Sequence, residues 1–402
     1  MREQPAGPGL DFAYRSLQQR VLFGTGRAAE LLATVLGELG DVGARSDVGA
    51  RPAGAQADTP GSIGSPGSPG IPEAPHPPGA ARVMVIATRR ELERSAEVLA
   101  GIRAVLVFDE VVQHVPAEAA ERAHRAAQAA GIDVVVALGG GSAIGLAKIL
   151  ALRSDRPAGL SIVAVPTTYS GSEATAVWGL VLNGVKTTGF DPRVLPGTVI
   201  YDAALTRTLP RELSASSALN ALAHGVDALW APGANPVSAL IAVEGIRMLA
   251  RALPRIAESG GGREDALYGA YLAASAFSSA GSGLHHKICH VLGGTFGLPH
   301  AQTHAIVLPH VVALNAPAAP EAEARIAAAL GSRSAVDGLL ALRDSVHAPT
   351  ALRDFGFLES DIGRAVALIL PAVPASNPRS VTSADLTVLL RNAWAGSAPG
   401  GQ

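Results

Sequence analysis

Residues 133–153 read DVVVALGGGSAIGLAKILALR, and this stretch indicates the fold. Its first part is a run of Val, Ala and Leu typical of a buried parallel strand, and its second part has helical periodicity. Between them lies the turn Gly139-Gly140-Gly141-Ser142. Glycines let a backbone approach a phosphate, and a helix N-terminus offers unpaired N–H groups. The turn predicts a dinucleotide pyrophosphate site, while an ordinary tight turn is the simpler interpretation of the three glycines alone.

The same alternation of strand and helix continues on both sides of the glycine turn. Strands are expected at 20–24, 81–87, 104–110, 133–141, 161–168 and 198–202, and helices at 26–39, 90–102, 116–130 and 142–153. Apolar strands alternating with helices predict a parallel sheet covered by helices, a Rossmann-like α/β arrangement. Residues 41–81 instead are rich in Pro, Gly, Ala and Ser, which predicts a disordered insertion.

From about residue 206 onward the sequence carries helical periodicity and no strand pattern. We therefore expect two domains: an α/β dinucleotide-binding domain over 1–205 and an all-helical catalytic domain over 206–402. A cleft between two domains is a usual place for a ligand.

Composition excludes several classes of function. The net charge is −2 with both signs dispersed, so no nucleic-acid partner is expected. No apolar run is long enough to span a bilayer, and the N-terminus lacks the apolar segment of a signal peptide. The single cysteine, Cys289, cannot form an intrachain disulfide, which is compatible with a reducing cytoplasm. We therefore expect a cytoplasmic protein without membrane partners.

A second polar loop, PTTYSGSE (166–173), follows the next predicted strand. Hydroxyl groups at the carboxyl end of a parallel strand suit cofactor contacts, and ordinary turn chemistry is the alternative interpretation. The chain also has only three lysines, Lys148, Lys186 and Lys287, against many arginines. A lysine retained under such a bias suggests a need for a compact ammonium, although chance would explain any one of them.

Four histidines have spacings that allow them to converge. His224 lies one helical turn after Asn220, and His286 and His290 share a helix face as an i, i+4 pair, with His300 following Pro299. A lone histidine in a core is usually a satisfied polar residue. Four in this arrangement favour metal ligation or proton transfer.

At this point the chain resembles the iron-containing alcohol dehydrogenase superfamily, over about residues 11–393 apart from the insertion. The family's cofactor loop GGGSxxxxAK matches 139–148, its acidic-x3-His motif matches 220–224, and its H-x3-H-x9-H motif matches 286–300. The ending NPR-x-V-T matches 377–382. The resemblance implies a dehydroquinate synthase-like fold, in which metal-dependent members bind the ion through the motif's acidic residue and histidines.

Three departures from the superfamily pattern resemble its maleylacetate reductase branch. Gly145 replaces a common Asp, the PTTYSGSE loop is one residue shorter, and Asn220 stands in place of the ligand Asp. Segments 184–196 and 283–305 look like the same branch. The resemblance implies reduction of maleylacetate to 3-oxoadipate in aromatic catabolism, with NADH or possibly NADPH, without a metal, in a homodimer.

On this resemblance, His224, His286 and His300 form an oxyanion and substrate cradle, and His290 lies nearest the nicotinamide. Lys287, Lys186 and His285 supply positive charge for a dicarboxylate, and Asn220 removes a like charge from its path. If a metal binds at all, its ligands are His224, His286 and His300. The expected cofactor contacts are Gly139, Gly140, Gly141, Ser142, Thr167, Thr168, Ser170 and Lys148.

Two other functions stay open at the level of sequence. One is a metal-dependent alcohol or lactaldehyde dehydrogenase on the same scaffold, which Asn220 disfavours. The other is a nucleotide-binding protein without catalysis, which the complete set of motif histidines and lysines disfavours.

Overall fold

The computed structural model describes residues 11–46, 81–182 and 185–400. Its main sheet has six parallel strands in the order β1-β8-β5-β4-β2-β3. These strands are β1 (Arg20–Phe23), β2 (Val83–Ile86), β3 (Ala104–Phe108), β4 (Val134–Gly139), β5 (Ser161–Pro166) and β8 (Thr198–Tyr201). The helices beside the sheet are α1 (Ala28–Ser46), α2 (Arg89–Arg94), α3 (Ala96–Leu99), α4 (Ala117–Ala129) and α5 (Gly141–Arg153).

The central strands are apolar because both of their faces are covered. Every residue of β2 and β4 is buried, as the uninterrupted Val, Ile and Leu runs predict for such strands. The chain passes from β2 outward to β3 and then returns to β4 on the other side of β2. Ligands of open α/β sheets bind at the carboxyl ends of strands where the order reverses in this way. That position is occupied here by the glycine turn after β4.

The second half of the described chain is helical. Its helices are α6 (Arg211–Ala228), α7 (Pro236–Ser259), α8 (Arg263–Ala280), α9 (Leu284–Phe296), α10 (His300–Asn315), α11 (Pro320–Leu330), α12 (Ala335–Ser345), α13 (Ile362–Ile369) and α14 (Ser383–Ala395). This combination of a parallel α/β half and a helical half confirms the predicted fold class. Among the described helices, none has both the length and the apolar character needed to cross a bilayer.

Small residues allow the helices around the site to pack closely. A Cβ on Gly245 of α7 would lie 2.8 Å from the backbone nitrogen of Ala273 in α8. A Cβ on Gly269 of α8 would in turn lie 3.0 Å from the carbonyl oxygen of Gly245. Real Cβ atoms do not approach this closely, so glycine is required at both positions for α7 and α8 to be in contact.

One hydrophobic cluster extends through both halves of the molecule. It includes Met84 of β2 and Ile144 of α5 together with Leu219 of α6 and Leu249 of α7. A second cluster is confined to the helical half, where α9 and α10 pack on α13 and α14. The glycine turn and the helix that carries His224 are therefore held by the same apolar interior.

Three local predictions were wrong. Helix α1 continues to Ser46, so residues 41–46, which were assigned to the insertion, are helical. No proline, which would end a helix, occurs in the sequence after α1 begins until Pro52. The rest of the predicted insertion, residues 47–80, lies outside the described residues. The helix expected over 90–102 is divided at Ser95, whose φ and ψ of −111° and 22° interrupt it. The structure also contains an antiparallel hairpin of β6 (Val177–Leu182) and β7 (Val185–Phe190), which the sequence analysis did not predict.

Candidate active site

The glycine turn is packed closely against the PTTYSGSE loop. Gly139 has φ +146°, a conformation that residues with a Cβ rarely adopt. A Cβ on Gly140 would lie 3.0 Å from Thr168 Cγ2, and one on Gly141 would lie 3.4 Å from Ser170 Oγ. The turn and the PTTYSGSE loop are therefore close neighbours, and they face each other at the start of α5.

The hydroxyls of this loop fit a bound dinucleotide. Thr168 Oγ1 and Ser170 Oγ are buried and have no hydrogen-bond partner. Buried polar groups are normally paired, so two adjacent unpaired hydroxyls beside a glycine turn indicate a site for polar ligand atoms. Thr167 differs, because its hydroxyl bonds to Glu91 Oε1 at 3.3 Å. Gly140 and Gly141 lie beside these two side chains, and Gly139 and Ser142 flank them in the chain.

The predicted cofactor contact of Lys148 requires a correction, because its ammonium is bound by backbone carbonyl groups inside the protein. Its side chain is fully buried beneath the loop, where Nζ donates to the carbonyl oxygens of Ser172, Thr175 and Val177 at 2.6–2.8 Å. Burial lowers its pKa to about 7. Lys148 thus holds the loop from below and is not placed to contact a cofactor.

The PTTYSGSE loop also contacts the helical half of the molecule. Gly171 has φ +73°, and a Cβ there would lie 2.7 Å from Ala274 Cβ and 3.3 Å from His224 Nδ1. Asn220 Nδ2 donates to the carbonyl oxygen of Ser170 at 3.4 Å, while its Oδ1 is buried without a partner. The predicted cofactor loop and the predicted histidine helix therefore meet.

The structure brings the predicted histidines together as a cluster of rings. His224 and His286 are stacked with centroids 4.8 Å apart, and Phe277 packs against both at 4.9 and 4.4 Å. His290 lies 6.1 Å from His286, measured between ring centroids. His300 joins the cluster through His304, with a centroid distance of 4.3 Å. The cluster lies where α6, α9 and α10 converge.

Burial keeps these imidazoles neutral at physiological pH. It lowers the pKa of His224 to about 4. It also lowers the pKa values of His286, His290 and His300 well below the usual range, with neighbouring histidines or lysines adding to the effect. Neutral imidazoles can donate or accept hydrogen bonds without repelling one another.

Asp227 is a site residue that sequence reasoning missed. It lies one helical turn after His224 on α6, is completely buried, and its Oδ2 lies 2.8 Å from His286 Nδ1. The signal available in the sequence was an acidic residue in the apolar stretch ALAHGVDALW. His304 was also missed, although it follows His300 by four residues and shares its helix face.

His285 is the second correction. It was expected to offer positive charge to the substrate, but its side chain is fully buried and burial lowers its pKa to about 3. Its Nε2 pairs with His304 Nδ1 at 2.9 Å and lies 3.7 Å from Cys289 Sγ. His285 is therefore a neutral interior residue behind the cluster.

The unpredicted hairpin carries Lys186 to the site. A Cβ on Gly294 of α9 would lie 2.8 Å from Lys186 Cβ, so β7 rests directly on α9. Burial lowers the pKa of Lys186, and its charge in turn lowers the pKa values of His290 and His300. Lys287 is partly buried on α9, and its charge lowers the pKa of His286. Both lysines thus lie close enough to influence the ring cluster.

The donor set does not fit a divalent metal in the expected place. Within the described residues, the histidines whose ring nitrogens gather within 4.8 Å are His285, His286 and His304, not the predicted trio of His224, His286 and His300. The position of the expected carboxylate ligand is occupied by the Asn220 amide. Two of the three gathered rings, His285 and His304, already bond to each other. The expected site therefore lacks its charged ligand, and its three histidines do not gather their ring nitrogens around one point.

Comparisons with known proteins place this geometry in context. Residues 71–203 match the family described as iron-containing alcohol dehydrogenase, and residues 214–394 match the Fe-containing alcohol dehydrogenase family, C-terminal. The chain is 44% identical over 326 residues to a maleylacetate reductase of Delftia acidovorans, covering 80% of this chain and 91% of that protein.

Solved structures agree with the sequence relatives. An iron-containing alcohol dehydrogenase from Corynebacterium glutamicum has a TM-score of 0.83 at 48% identity, covering 96% of this chain and 98% of that one. A maleylacetate reductase from Agrobacterium tumefaciens has a TM-score of 0.81 at 36% identity, covering 97% and 99%.

Proposed function

The chain belongs to the iron-containing alcohol dehydrogenase family, and from this premise we propose that it is a maleylacetate reductase. The reaction reduces the carbon–carbon double bond of maleylacetate, a 4-oxo-2-enedioate, to give 3-oxoadipate. The observation that carries the proposal is Asn220, an amide one helical turn before the clustered His224 in a relative of maleylacetate reductases.

The cofactor we propose is NADH or NADPH, held between the two halves. When bound, the reduced nicotinamide supplies a hydride to the alkene carbon remote from the ketone. The backbone of the glycine turn and the unpaired hydroxyls of Thr168 and Ser170 are the groups that would hold it. Lys148 keeps the loop that presents these hydroxyls in place through its three carbonyl contacts.

The rest of the site suits a doubly anionic enone. Conjugate addition moves an electron pair onto the ketone oxygen, and the resulting enolate then takes a proton on the adjacent carbon. N–H donors placed at that oxygen stabilise the enolate, and histidine is suited to the proton transfer. Lys186 and Lys287 provide positive charge, and the Asn220 amide avoids the like-charge repulsion that a carboxylate would cause.

We propose that this reaction proceeds without a bound metal. The support is the Asn220 amide and the failure of His224, His286 and His300 to gather as ligands. The same two observations disfavour a metal-dependent alcohol or lactaldehyde dehydrogenase, which needs a Lewis acid to polarise its substrate.

A spectrophotometric assay tests the proposal. Purified protein is mixed with maleylacetate and either NADH or NADPH, with and without EDTA, and its Fe and Zn contents are measured in parallel. We expect oxidation of at least one cofactor, unchanged by EDTA, in protein with far less than one metal per chain. Turnover of lactaldehyde or simple alcohols that disappears with EDTA and returns with Fe²⁺ or Zn²⁺ would instead establish the metal-dependent alternative.

Two further expectations accompany the proposal. We propose a homodimer, to be checked by analytical ultracentrifugation, and a cytoplasmic location, to be checked by fractionation of the source cells.

A further inference from the structure

Asp227 occupies a position that neither the family motifs nor the proposed reaction assigns. Its carboxylate lies at the N-terminus of α9, where Oδ2 accepts from the backbone N–H groups of Gly283 and His286, both at 3.1 Å. Oδ1 accepts from Trp230 Nε1 at 3.2 Å. A carboxylate surrounded by N–H donors at a helix N-terminus is stabilised as an acceptor.

The packing around this carboxylate is tight. A Cβ on Gly283 would lie 2.5 Å from Asp227 Oδ1. Glycine is therefore needed at the start of α9 to make room for the carboxylate. The geometry of the carboxylate relative to His286 is fixed by both α6 and α9.

The fourth donor to this carboxylate is the His286 ring. His286 Nδ1 lies 2.8 Å from Asp227 Oδ2, an oxygen that already accepts two backbone N–H bonds. A proton on that oxygen would oppose those two donors, so the proton between the pair belongs to Nδ1. His286 Nε2 is then an unprotonated lone pair, and this atom is buried without any partner in the ring cluster.

We propose that Asp227 is a positioning residue that fixes His286 in its Nδ1–H tautomer, with Nε2 presented to the ring cluster as a hydrogen-bond acceptor for a neighbouring donor. Its importance for turnover rests on the proposed function, whereas the tautomer itself does not. Neutral His286 in this state cannot donate to the enolate oxygen, so that donation falls to the other imidazoles or the lysines. Partners that orient a histidine in this way typically change activity about 10- to 100-fold when removed.

The first experiment determines the tautomer in the wild-type protein. Protein with ¹⁵N-labelled histidine is examined by two-bond ¹H–¹⁵N correlation NMR, which distinguishes the two tautomers, and His286 is assigned by the signals lost in His286→Asn. We expect His286 to carry its proton on Nδ1. A proton on Nε2 in the wild-type protein overturns the proposal, whether or not the protein reduces maleylacetate.

The second experiment compares Asp227→Leu with Asp202→Leu. Asp202 is a matched control because it is also a buried carboxylate that accepts backbone N–H groups, from Gly26 at 2.8 Å and Ala28 at 3.0 Å, with no histidine attached. Leucine is close to aspartate in shape but offers Nδ1 no acceptor, so in Asp227→Leu we expect part of the His286 population to carry its proton on Nε2. We expect kcat to fall about 10- to 100-fold while KM for the nicotinamide is unchanged.

The control separates this role from a purely structural one. Asp202→Leu should lose stability in the same way but retain the His286 spectrum and kcat. An Asp227→Leu protein with the wild-type tautomer alone, or with a changed tautomer and normal kcat, contradicts the proposal. If Asp227→Leu does not fold, the wild-type spectrum alone decides. Absence of maleylacetate turnover in the wild type contradicts the proposed function and leaves the spectral result standing.

Discussion

The imidazole rings of His224 and His286 stack face to face, with 18° between their planes and 4.8 Å between their centroids. The Asp227 carboxylate lies at the edge of the His286 ring, at Nδ1. Phe277 packs against both imidazole rings. The orientation of His286 thus depends on ring packing as well as on a hydrogen bond.

Replacing His224 with Phe should separate packing from chemistry. The variant keeps an aromatic ring in the stack but loses the buried, unpaired Nδ1. We expect a melting temperature close to that of the wild type and a fall in kcat of about 10²-fold, as when one transition-state donor is removed. His224→Ala, which also loses the ring, should be destabilised as well. Wild-type turnover in His224→Phe would show that this nitrogen takes no part in the reaction.

Asn220→Asp should weaken binding of the dianionic substrate. Like charges about 4 Å apart interact by roughly 4 kcal/mol at an effective dielectric of about 20, so we expect KM for maleylacetate to rise at least about tenfold. Asn220→Ala is the control, because it removes the amide without adding charge. Steady-state kinetics at low and high salt would check the result. An unchanged KM in Asn220→Asp would place residue 220 away from the substrate.

Lys148→Met should loosen the cofactor loop from beneath. The substitution nearly preserves side-chain volume but leaves the carbonyl oxygens of Ser172, Thr175 and Val177 without their donor. We expect the free energy of unfolding to fall by about 3–5 kcal/mol and NADH to bind more weakly. Urea denaturation and a fluorescence titration measure the two effects. Lys287→Met, at a partly buried lysine, should change stability by only about 0.5 kcal/mol. Equal losses in the two variants would contradict the positioning role.

Acid should destabilise the protein well before its carboxylates are protonated. Burial lowers the pKa values of His224 and His310 to about 4, below the usual 6.5. As pH falls from about 6.5 to 4, the unfolded chain takes up these protons and the folded chain does not, so stability is lost across this window. Each such histidine contributes up to about 1.4 kcal/mol per pH unit.

His310→Gln tests this pH dependence outside the ring cluster. Urea unfolding at pH 7, 6 and 5 should show a shallower decline in the variant, by about one proton. The same substitution at the exposed His347 controls for the loss of a histidine. An identical slope in His310→Gln and the wild type would show that His310 is not held neutral.

Local patterns predicted the parts of the fold that depend on local structure. The apolar run before Gly139 and the helical pattern after Ser142 were enough to locate β4 and α5, because burial on both faces leaves a continuous Val and Leu signal. The hairpin had its own signal, the Asn183-Gly184 pair between two β-rich segments, a combination that favours a two-residue turn.

The direction of a side chain depends on tertiary packing and was harder to predict. Lys148 belongs to the cofactor motif, yet its ammonium points into the interior because three loop carbonyls converge there. The pairing of Asp227 with His286 joins positions 59 residues apart, so no local spacing could reveal it. His285 and His286 are adjacent in sequence but point to different surroundings, one toward His304 and the other toward Asp227.

The apolar interior that joins Met84 and Ile144 to Leu219 and Leu249 makes the two halves a single cooperative unit. Either half produced alone would expose the surface that the other covers, and would aggregate rather than fold. A chimera that combines one half of this chain with the other half of a relative would have to preserve the apolar residues where the two halves meet. We expect ligands to enter and leave through local movements of loops, because separating the two halves would require disrupting the hydrophobic cluster that they share.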